Sequence, residues 1–430
     1  MKYYIKIFGC QMNYSDAERF AAKLDELGYK ETANDKEADL IVLITCSVRK
    51  SAEDRVYGAI NNYRKKKLYP KVKKIILSGC MALRSEVLKK TDKADIFMDI
   101  KDLKVLPQLL KQKAKSLEIG EYFSIKPKYA SKFMAYVPIM TGCNNFCSYC
   151  IVPYVRGREI SRQPQEIINE VKDLIRNGYK EIILLGQNVN SYSPELRAQS
   201  SKLKIKDFPD LLEYIAKLPG NFWLRFITSH PKDLSDKLIR VMAKNKKICE
   251  QINLPIQSGD NVILKKMNRH YTVAHYKYLV RKLRKNIPGI AISTDVIVGF
   301  PEETKKQFGN TAKLFKEVKF DMAYINKYSP REETAAARLK DNISKAEKVK
   351  RAAALTKVLS SGALENNKKL VGKTLDVLVI SRGRKGDWIG ETRTSKMVKF
   401  KSEKNLLGKF ININIIEAKD FGLIGMLTKK

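Results

Sequence analysis

The chain has 430 residues, of which 44% are hydrophobic and 30% charged, so its length predicts two or three domains with sizeable cores. No stretch has the ~20 uncharged apolar residues of a membrane span, and Lys6 interrupts the short apolar run at the start, so we expect a cytoplasmic protein without membrane association. The 83 Lys and Arg residues against 46 acidic residues give a net charge of +37, which favours a polyanionic partner, RNA or DNA, over a merely solvated surface.

Residues 1–125 have the pattern of an α/β domain with a parallel sheet. Apolar runs such as YYIKIFG, ADLIVLIT and KIILSG alternate with helical patterns such as DAERFAAKLDELG, which predicts a βαβαβ order. A cysteine directly follows each of three strands, and these cysteines are Cys10, Cys46 and Cys80. Because parallel strands end at one edge of a sheet, we expect the three thiols to converge there. Three separately buried thiols, packing as small hydrophobes, are the simpler alternative.

A second βα series follows, and it predicts a partial (βα)6 barrel over residues 130–366. Periodicity is lost over residues 111–132, which we interpret as a connecting segment. Six strand-like runs then alternate with helical patterns, and the barrel strands are FMAYVPIM, EIILLGQN, LRFITSH, INLPIQ, AISTDVIVGF and MAYINKYS. An amphipathic helix over residues 342–366 closes this domain. An active site in such a barrel is expected at the carboxyl ends of the strands.

Residues 368–430 are predicted to form a small all-β barrel, because short alternating strands are separated by glycine-containing turns. This segment has 15 Lys or Arg residues and 6 acidic ones, so it is basic in its own right. Its turn SRGRKGDW is expected to offer Arg382, Arg384 and Lys385 to phosphates and Trp388 to a stacked base. The basic run at residues 61–74 is interpreted either as a second nucleic-acid face or as solvated surface.

A glycine-containing loop after the first barrel strand carries three cysteines, Cys143, Cys147 and Cys150, with the spacing C-x3-C-x2-C. Zinc is the competing interpretation, but a structural zinc site needs four ligands, and no fourth Cys or His lies nearby in the sequence. Clustered thiolates otherwise suit iron–sulfur, and a 4Fe–4S cluster bound by three cysteines leaves one iron open. The seventh cysteine, Cys249, lacks such neighbours and is expected to be a buried structural thiol.

The C-x3-C-x2-C loop, with Tyr149 just before its last cysteine, resembles the signature of radical S-adenosylmethionine (SAM) enzymes. The resemblance implies that the open iron binds the amino and carboxylate groups of SAM. It also implies that an electron from the cluster cleaves the sulfonium and generates a 5′-deoxyadenosyl radical. The fourth ligand of the cluster would then be the cofactor itself.

The resemblance narrows to the methylthiotransferases of the MiaB type and covers nearly the whole chain. The motifs that carry it are FGCQMNYSDAERF, GCNNFCSYCIVPYVRGREISR, LLGQNVNSY, TSHPKDL, LPIQSGDNVILKKMNR and STDVIVGFPEET. It implies a second 4Fe–4S cluster on Cys10, Cys46 and Cys80, facing the first, and a C-terminal RNA-binding barrel called TRAM. It further implies two uses of SAM, as methyl donor and as radical source, a reducing partner such as flavodoxin or ferredoxin, and a monomeric protein.

The same resemblance assigns contacts to SAM. The predicted cofactor-binding residues are Tyr149, Gly186, Gln187, Asn188, Gln257, Ser258, Arg269, Val298 and Gly299. Arg269 is expected to bind the cofactor carboxylate in a bidentate way, with an exposed helix-end arginine as the alternative. The glycines and small polar residues among them also end many barrel strands that bind nothing.

Four glutamates depart from the pattern of the family. Glu302 stands at the second glycine of the usual G-F-P-G-E-T, and Glu332 and Glu333 interrupt the usual R-P-G-T. Glu391 replaces the arginine of the G-R-T that TRAM modules often show, and Arg393 and Lys396 are expected to compensate for that RNA contact. These changes bear on loop shape and RNA contacts rather than on the clusters.

Three hypotheses for the substrate follow. The first is methylthiolation of C2 of N6-isopentenyladenosine at position 37 of tRNA, in the anticodon stem-loop, because GCQMN is the form typical of that branch. The second is a sibling methylthiotransferase that acts on N6-threonylcarbamoyladenosine in tRNA or on an aspartate of a ribosomal protein. The third is a non-enzymatic iron–sulfur protein that binds RNA, which the intact three-cysteine loop disfavours.

Overall fold

A computed structural model describes residues 1–47, 50–84, 87–88, 91, 93–110, 122–194, 203–383 and 386–428. The chain divides into two compact units. The first comprises Met1–Ser131, Thr141–Asn145 and Cys150–Arg162, and the second comprises Lys132–Met140, Phe146–Tyr149 and Gln163–Lys430. In the described part of the chain, no helix is both long and apolar enough to cross a membrane. The boundaries predicted for the three domains stay predictions.

The first unit contains a parallel five-stranded sheet in the order β2-β1-β3-β4-β5. Its strands are β1 Lys2–Phe8, β2 Lys30–Glu31, β3 Leu40–Thr45, β4 Lys74–Gly79 and β5 Ile96–Phe97. Every residue of β3 is buried, as expected of a central strand covered on both faces. The predicted βαβαβ order is therefore confirmed, and the short edge strands β2 and β5 are additions to it.

Helices cover both faces of this sheet. Among the described residues, the helices of this unit include α1 Gln11–Glu26, α2 Lys50–Tyr63, α3 Leu106–Leu109 and α4 Val152–Val155. One apolar core lies under α1 and includes Phe20, Leu24 and Val42, whereas the other lies under α2 and includes Val56 and Ile75. The two cores fix the sheet rigidly, so the carboxyl ends of β1, β3 and β4 are presented together.

The second unit contains the predicted half-barrel of parallel strands. Two three-stranded sheets, in the orders β10-β9-β6 and β11-β12-β13, are linked by a parallel bridge between Leu224 and Ile248. Its strands are β6 Met134–Pro138, β9 Glu181–Leu185, β10 Trp223–Ile227, β11 Gln251–Asn253, β12 Ala291–Val298 and β13 Met322–Lys327. The short pair β7 Met140–Thr141 and β8 Ile160–Ser161 flanks the cysteine loop in sequence.

Amphipathic helices alternate with these strands. They are α5 Pro164–Arg176, α6 Phe208–Lys217, α7 Asp236–Lys244, α8 Asn261–Lys266, α9 Val273–Asn286, α10 Lys305–Val318 and α11 Lys345–Lys368. Several begin at a residue whose side chain accepts a backbone N–H, for example Ser235 before α7 and Thr272 before α9. Such caps satisfy donors that the first helical turn leaves unpaired. The predicted partial (βα)6 barrel is confirmed.

The C-terminal residues of the second unit form a closed five-stranded barrel in the order β14-β15-β16-β18-β17. Its strands are β14 Thr374–Arg382, β15 Trp388–Thr392, β16 Met397–Phe400, β17 Phe410–Lys419 and β18 Gly422–Leu427. The core contains Val377, Val398 and Ile413 together with Trp388. The expectation that Trp388 offers its ring to a base is wrong, because this residue is 5% exposed and its Nε1 donates to the carbonyl of Ser402.

Arginine and lysine side chains attach this small barrel to the half-barrel, within the second unit. Arg393 forms an ion pair with Glu250 at 2.7 Å and also donates to the carbonyls of Lys246 and Ile248. Lys396 forms an ion pair with Asp321, also at 2.7 Å. The two cations expected to compensate for Glu391 in an RNA contact are thus occupied within the protein, so that expectation is wrong. Arg384 and Lys385 lie outside the described residues.

Candidate functional site

The thiols of the N-terminal triplet are brought together by adjacent strands. Cys46 and Cys80 directly follow β3 and β4, and Cys10 lies two residues beyond the end of β1. These three strands are neighbours in the sheet. Their backbones extend the ladder, since the N–H of Cys46 donates to Phe8 at 3.0 Å and that of Cys80 donates to Thr45 at 2.9 Å. The predicted convergence of the three cysteines at the carboxyl edge is therefore what the fold of this unit produces.

Gly79 makes the turn into Cys80 possible. Its φ of +90° lies in the left-handed region, and a Cβ added there would meet the carbonyl oxygen of Thr45 at 2.5 Å. Only glycine fits both the conformation and the close approach to the neighbouring strand. A larger residue at this position would displace the thiol of Cys80 from the edge.

The thiols at this edge affect each other's protonation. A hydrogen bond with Cys46 is the largest cause that lowers the pKa of Cys10, to about 6, with the charge of Arg156 adding to it. Burial raises the pKa of Cys80, and the positive charge of Arg156 opposes this rise. Thiolate, rather than thiol, is the form that binds metal. Of the thiols at this edge, Cys10 is therefore the one most readily present as the thiolate that binds metal.

A buried arginine contacts the third thiol, and this contact was not predicted from the sequence. The Nε of Arg156 donates to the Sγ of Cys80 at 3.0 Å, and its Nη2 donates to the Oδ2 of Asp16 at 2.5 Å. Arg156 is 4% exposed and Asp16 is fully buried. The only signal was that both residues fall inside the quoted family motifs, which did not distinguish them from their neighbours.

Asp16 is the centre of a buried network in the first unit. It accepts hydrogen bonds from the hydroxyl of Tyr122 at 2.5 Å and from the Nδ2 of Asn13 at 3.3 Å. Asn13 in turn accepts from the backbone N–H of Cys10 at 3.2 Å. Polar groups therefore link Cys10 to Cys80 through three side chains.

Two parts of the C-x3-C-x2-C loop belong to the first unit. The backbone N–H of Cys143 donates to the carbonyl of Gly157 at 3.2 Å, and the side chain of Asn145 donates to the Sγ of Cys143 at 3.5 Å. Gly142 has a φ of +79°, and a Cβ there would meet the carbonyl oxygen of Arg158 at 2.0 Å. The glycine of the loop is thus required by its close approach to the segment that follows Cys150.

The middle of the loop belongs to the second unit, where Arg269 contacts Cys147. Its Nη1 donates to the Sγ of Cys147 at 3.3 Å, its Nη2 to the carbonyl of Pro255 at 2.9 Å and its Nε to the hydroxyl of Tyr271 at 2.8 Å. The backbone of Phe146 has a φ of 44°, and its carbonyl accepts from Asn268 at 3.0 Å. Arg269 is 7% exposed, so the alternative of an exposed helix-end arginine is wrong.

Tyr149 packs against α8 and the residues that follow it, which precede Arg269 in the chain. It contacts the apolar cluster of Ile263, Met267 and Phe300, and the N–H of the preceding Ser148 donates to the carbonyl of Met267 at 3.1 Å. These contacts fix the loop against the turn that follows α8. The role of Tyr149 toward SAM stays a prediction.

Buried polar atoms without partners mark the carboxyl ends of β9 and β10. In the described protein, the Oε1 of Gln187, the Oδ1 of Asn188 and the Oγ of Ser229 are buried and accept or donate no hydrogen bond, and neither amide atom of Asn190 has a partner. Such groups are costly unless a ligand or water satisfies them. Gly186, Gln187 and Asn188 were predicted here, whereas Asn190 and Ser229 were missed because their side-chain types are common in loops.

The strand ends are also conformationally strained. Thr228 follows β10 with a φ of 73°, which is rare for a β-branched residue. Its hydroxyl donates to the carbonyl of Gly186, and its own carbonyl accepts from Val189 at 3.0 Å. Strain of this kind persists where the surroundings over-determine it, commonly at ligand sites. The ends of β9 and β10 are thus held together.

The remaining predicted cofactor residues lie at the ends of β11 and β12. Gln257 has a φ of 67° and donates its N–H to the carbonyl of Asp295 at 2.8 Å. Ser258 and Val298 are fully buried, and the N–H of Gly299 donates to the Oε2 of Glu303 at 2.8 Å. These contacts place the four residues at the expected end of the barrel, and their roles toward SAM stay predictions.

Glu302 occupies a position whose backbone conformation favours glycine. Its φ is 63°, a left-handed conformation that costs roughly 1–2 kcal/mol for a residue with a Cβ. An ion pair with Lys266 at 2.6 Å and a hydrogen bond from its N–H to Asn342 at 3.1 Å hold it there. Glu332 is exposed and Glu333 is half-buried in the loop after β13.

A neutral histidine lies among these strand ends. His230 is 5% exposed, and its Nδ1 accepts from the backbone N–H of Lys232 at 3.2 Å. Burial is the main cause that lowers its pKa to about 2, and the charge of Arg269 is the next. The imidazole therefore stays uncharged at physiological pH.

The two triplets fit thiolate-held clusters by the chemistry of their donors. All seven cysteines are thiols rather than disulfides. N–H groups of Arg156, Asn145 and Arg269 donate to sulfurs of cysteines that are expected to bind a cluster. Among the described residues, no three His, Cys, Asp or Glu side chains are arranged around one metal ion. An iron–sulfur cluster differs from a single ion in offering a separate iron to each thiolate. Cys249 is buried, as expected, and burial raises its pKa to about 12.

Comparison with known proteins defines the class. The family described as Radical SAM superfamily matches residues 137–315, the uncharacterized protein family UPF0004 matches residues 2–99, and the TRAM domain matches residues 368–428. Together with the parallel half-barrel and its three-cysteine loop, these matches make the chain a radical SAM protein with a C-terminal TRAM barrel. Proteins of this superfamily use a 4Fe–4S cluster and SAM.

Full-length relatives then give the family. The chain is 44% identical, over 98% of its length and 92% of the relative's, to the tRNA-2-methylthio-N(6)-dimethylallyladenosine synthase of Caldicellulosiruptor saccharolyticus. It is 43% identical to the protein of the same name from Clostridium botulinum, over 99% of this chain and 96% of the relative. The chain belongs to the family of tRNA-2-methylthio-N(6)-dimethylallyladenosine synthases.

A solved structure agrees with the fold. The chain is similar to the apo form of the cobalamin-dependent S-adenosylmethionine radical enzyme OxsB, with a TM-score of 0.52 and 12% identity, over 83% of this chain and 56% of that one. At this identity the likeness shows the fold alone.

Proposed function

We propose that this protein methylthiolates C2 of N6-isopentenyladenosine at position 37 of tRNA, with two 4Fe–4S clusters and SAM as cofactors. The relatives named for this reaction support the choice over the sibling substrates. The proposal includes a cytoplasmic location, a monomeric protein and an electron donor such as flavodoxin or ferredoxin.

The observation that carries the proposal is the second thiolate site. Cys10, Cys46 and Cys80 come from three strand ends of one sheet, and Cys10 and Cys46 are hydrogen-bonded to each other. One triplet suffices for a protein that only cleaves SAM. A sulfur-inserting enzyme needs a separate place to hold sulfur, and a second three-cysteine site meets that need. A protein that merely binds RNA needs neither.

The chain's own residues would hold and surround these cofactors. Bound clusters and SAM supply the radical and sulfur-transfer chemistry, which no acid–base side chain can supply at an aromatic C–H bond. Cys143, Cys147 and Cys150 would hold one cluster, and the N–H groups of Asn145 and Arg269 support two of their sulfurs. The unpartnered acceptors after β9 suit the amino group of SAM.

Burial of these groups also protects the site. Cys143 and Cys147 are each 8% exposed, and Asn188 and Ser229 are 2% and 5% exposed. Excluding water strengthens the interactions of fixed polar groups with a bound cofactor and prevents side reactions of intermediates. Arg269, buried beside Cys147, would bind the carboxylate of SAM with a charge-assisted hydrogen bond.

Recognition of tRNA is proposed to involve the basic C-terminal barrel. Arg382 is exposed at the end of β14, and its guanidinium lies 5.6 Å from the Trp388 ring. A base in the anticodon loop can be turned out of the stack without opening a duplex. Binding that rests on phosphate contacts should weaken steeply as salt is raised, and a flat response would contradict this part of the proposal.

Nucleoside mass spectrometry tests the function. tRNA from cells that lack this gene should lack 2-methylthio-N6-isopentenyladenosine, and the nucleoside should return when the gene is restored. The Cys10→Ala variant is the matched control and should fail to restore it. If the methylthio group instead returns on N6-threonylcarbamoyladenosine, or on a ribosomal protein, the chain has one of the sibling activities.

A further inference from the structure

Arg156 is a buried charge that the proposed function leaves without a role. Its guanidinium donates to the Sγ of Cys80 at 3.0 Å and to the carboxylate of Asp16 at 2.5 Å. A buried cation costs several kcal/mol of desolvation unless it is paired and hydrogen-bonded. Asp16 forms the ion pair with Arg156. The hydrogen bond from Arg156 to Cys80 is therefore an additional interaction, which neutralising the buried charge does not require.

The arginine is held firmly from several directions. Its backbone N–H donates to the carbonyl of Val152 at 2.8 Å, and its own carbonyl accepts from the Nζ of Lys101 at 2.6 Å. Asp16, which fixes the guanidinium, is itself fixed by Tyr122 and Asn13. The planar fork of arginine can serve a sulfur and a carboxylate at once, which the single ammonium of lysine cannot do with the same geometry.

The position of Arg156 in the chain connects its contact with Cys80 to the C-x3-C-x2-C loop. It follows Cys150 by six residues, and the next residue, Gly157, accepts the backbone N–H of Cys143 at 3.2 Å. All of these residues lie in the first compact unit. The segment that follows the C-x3-C-x2-C loop therefore carries the group that contacts the N-terminal thiolate site.

We propose that Arg156 is a positioning residue that orients Cys80 and raises the reduction potential of the cluster bound by Cys10, Cys46 and Cys80. This inference rests on the proposed function, since it assumes that a cluster is bound there. An N–H group directed at a ligand sulfur, together with a nearby positive charge, stabilises the reduced cluster, which carries one more negative charge than the oxidised one. Removing either should make reduction harder.

A potentiometric titration monitored by electron paramagnetic resonance tests this role. The parent is the full-length protein in which Cys143, Cys147 and Cys150 are replaced by Ala, so that only the N-terminal cluster remains. In this background Arg156→Gln should shift the midpoint to more negative potential at unchanged iron content, and Arg156→Lys should shift it less. The matched control is Arg158→Gln, which removes a charge from the same segment but from an exposed side chain, and it should leave the midpoint unchanged.

Each outcome decides the question. A midpoint equal to that of the parent, in either variant that binds its cluster, would overturn the proposal. If Arg156→Gln fails to bind iron, Arg156→Lys alone decides by its midpoint. If both fail while Arg158→Gln binds normally, the role is structural and the proposal is wrong. A parent that binds no cluster would instead refute the proposed function, so the two failures are distinguishable.

Discussion

Two buried arginines each contact a cysteine sulfur, and they differ in how their charge is balanced. In the first unit, Arg156 lies 3.0 Å from Cys80 and forms an ion pair with Asp16. In the second, Arg269 lies 3.3 Å from Cys147, and its other partners are a hydroxyl and a carbonyl. No carboxylate of the described residues forms an ion pair with Arg269.

This difference in charge balance suits Arg156 and Arg269 to different roles. An arginine paired with a carboxylate still stabilises negative charge on the sulfur that its N–H groups contact, but the pair presents little net charge to a more distant ligand. An arginine without a carboxylate keeps its full charge in a buried place, which is unfavourable until an anion binds. Arg156 is therefore suited to orienting a ligand that is already part of the protein, and Arg269 to receiving an anion from outside. The charge of Arg269 is one cause of the lowered pKa of His230.

The largest effect is expected at the sulfur that Arg269 contacts. Cys147→Ala should abolish formation of 5′-deoxyadenosine and of the methylthiolated nucleoside, because the loop would lose one of its three thiolates. Mass spectrometry of both products measures this, and iron should fall to the content of one cluster. Cys249→Ala, which changes a buried thiol outside both triplets, is the control. Continued cleavage of SAM by Cys147→Ala would contradict the assignment.

The N-terminal triplet should behave differently. Cys10→Ala is expected to retain cleavage of SAM while methylthiolated product is lost, because the radical-generating triplet stays intact and the second site does not. The ratio of product to 5′-deoxyadenosine is the quantity to measure. Normal product from this variant would mean that the three N-terminal thiols are only structural.

The unbalanced charge of Arg269 should appear in the affinity for SAM. Arg269→Gln is expected to weaken SAM binding by about 10–100-fold, since losing a charge-assisted hydrogen bond costs roughly 1.5–3 kcal/mol. Calorimetry on the protein with its clusters measures the dissociation constant. Arg240→Gln, an exposed arginine on α7, should leave it unchanged. An unchanged affinity in Arg269→Gln would remove the distinction between the two arginines.

His230 provides a pH-dependent test of burial at the same strand ends. Because its pKa is lowered to about 2 in the folded protein, the unfolded chain takes up the proton first as pH falls below about 6.5, and the fold loses stability. At pH 5 the loss is about 2 kcal/mol, and it is absent at pH 8. His230→Asn keeps an acceptor for the N–H of Lys232 and should lose correspondingly less stability on acidification.

Urea unfolding at pH 8 and pH 5 measures this difference, with His275→Asn, at an exposed position, as the control. The gap between the wild type and His230→Asn at pH 5 should persist in an Arg269→Gln background, because burial, the main cause of the lowered pKa of His230, remains. Parallel pH profiles for the wild type and His230→Asn would show that the imidazole is not held neutral by the fold.

The spacing of cysteines in the sequence was sufficient to predict which of them lie close together. Cys143, Cys147 and Cys150 lie within one loop, and Cys10, Cys46 and Cys80 each follow a strand, so strand order alone brought them to one edge. The arginine contacts depend on tertiary packing, and nothing near Arg156 in sequence indicates a partner 76 residues away. The expectations for Trp388, Arg393 and Lys396 were wrong for the same reason, since composition cannot show which polar groups a neighbouring domain satisfies.

Arg393 is a third arginine, and its charge is balanced like that of Arg156, so the smallest effect is expected there. It forms an ion pair with Glu250 and donates to two carbonyls, so Arg393→Ala should lower the stability of the C-terminal barrel's attachment by about 1 kcal/mol. It should not change how steeply tRNA binding falls with salt. Arg382→Ala, which removes an exposed charge, should instead reduce that slope by about one. If Arg393→Ala reduces the slope by the same amount as Arg382→Ala, the charge of Arg393 reaches the RNA despite its partners within the protein. Pairing within the fold would then not determine which ligand an arginine contacts.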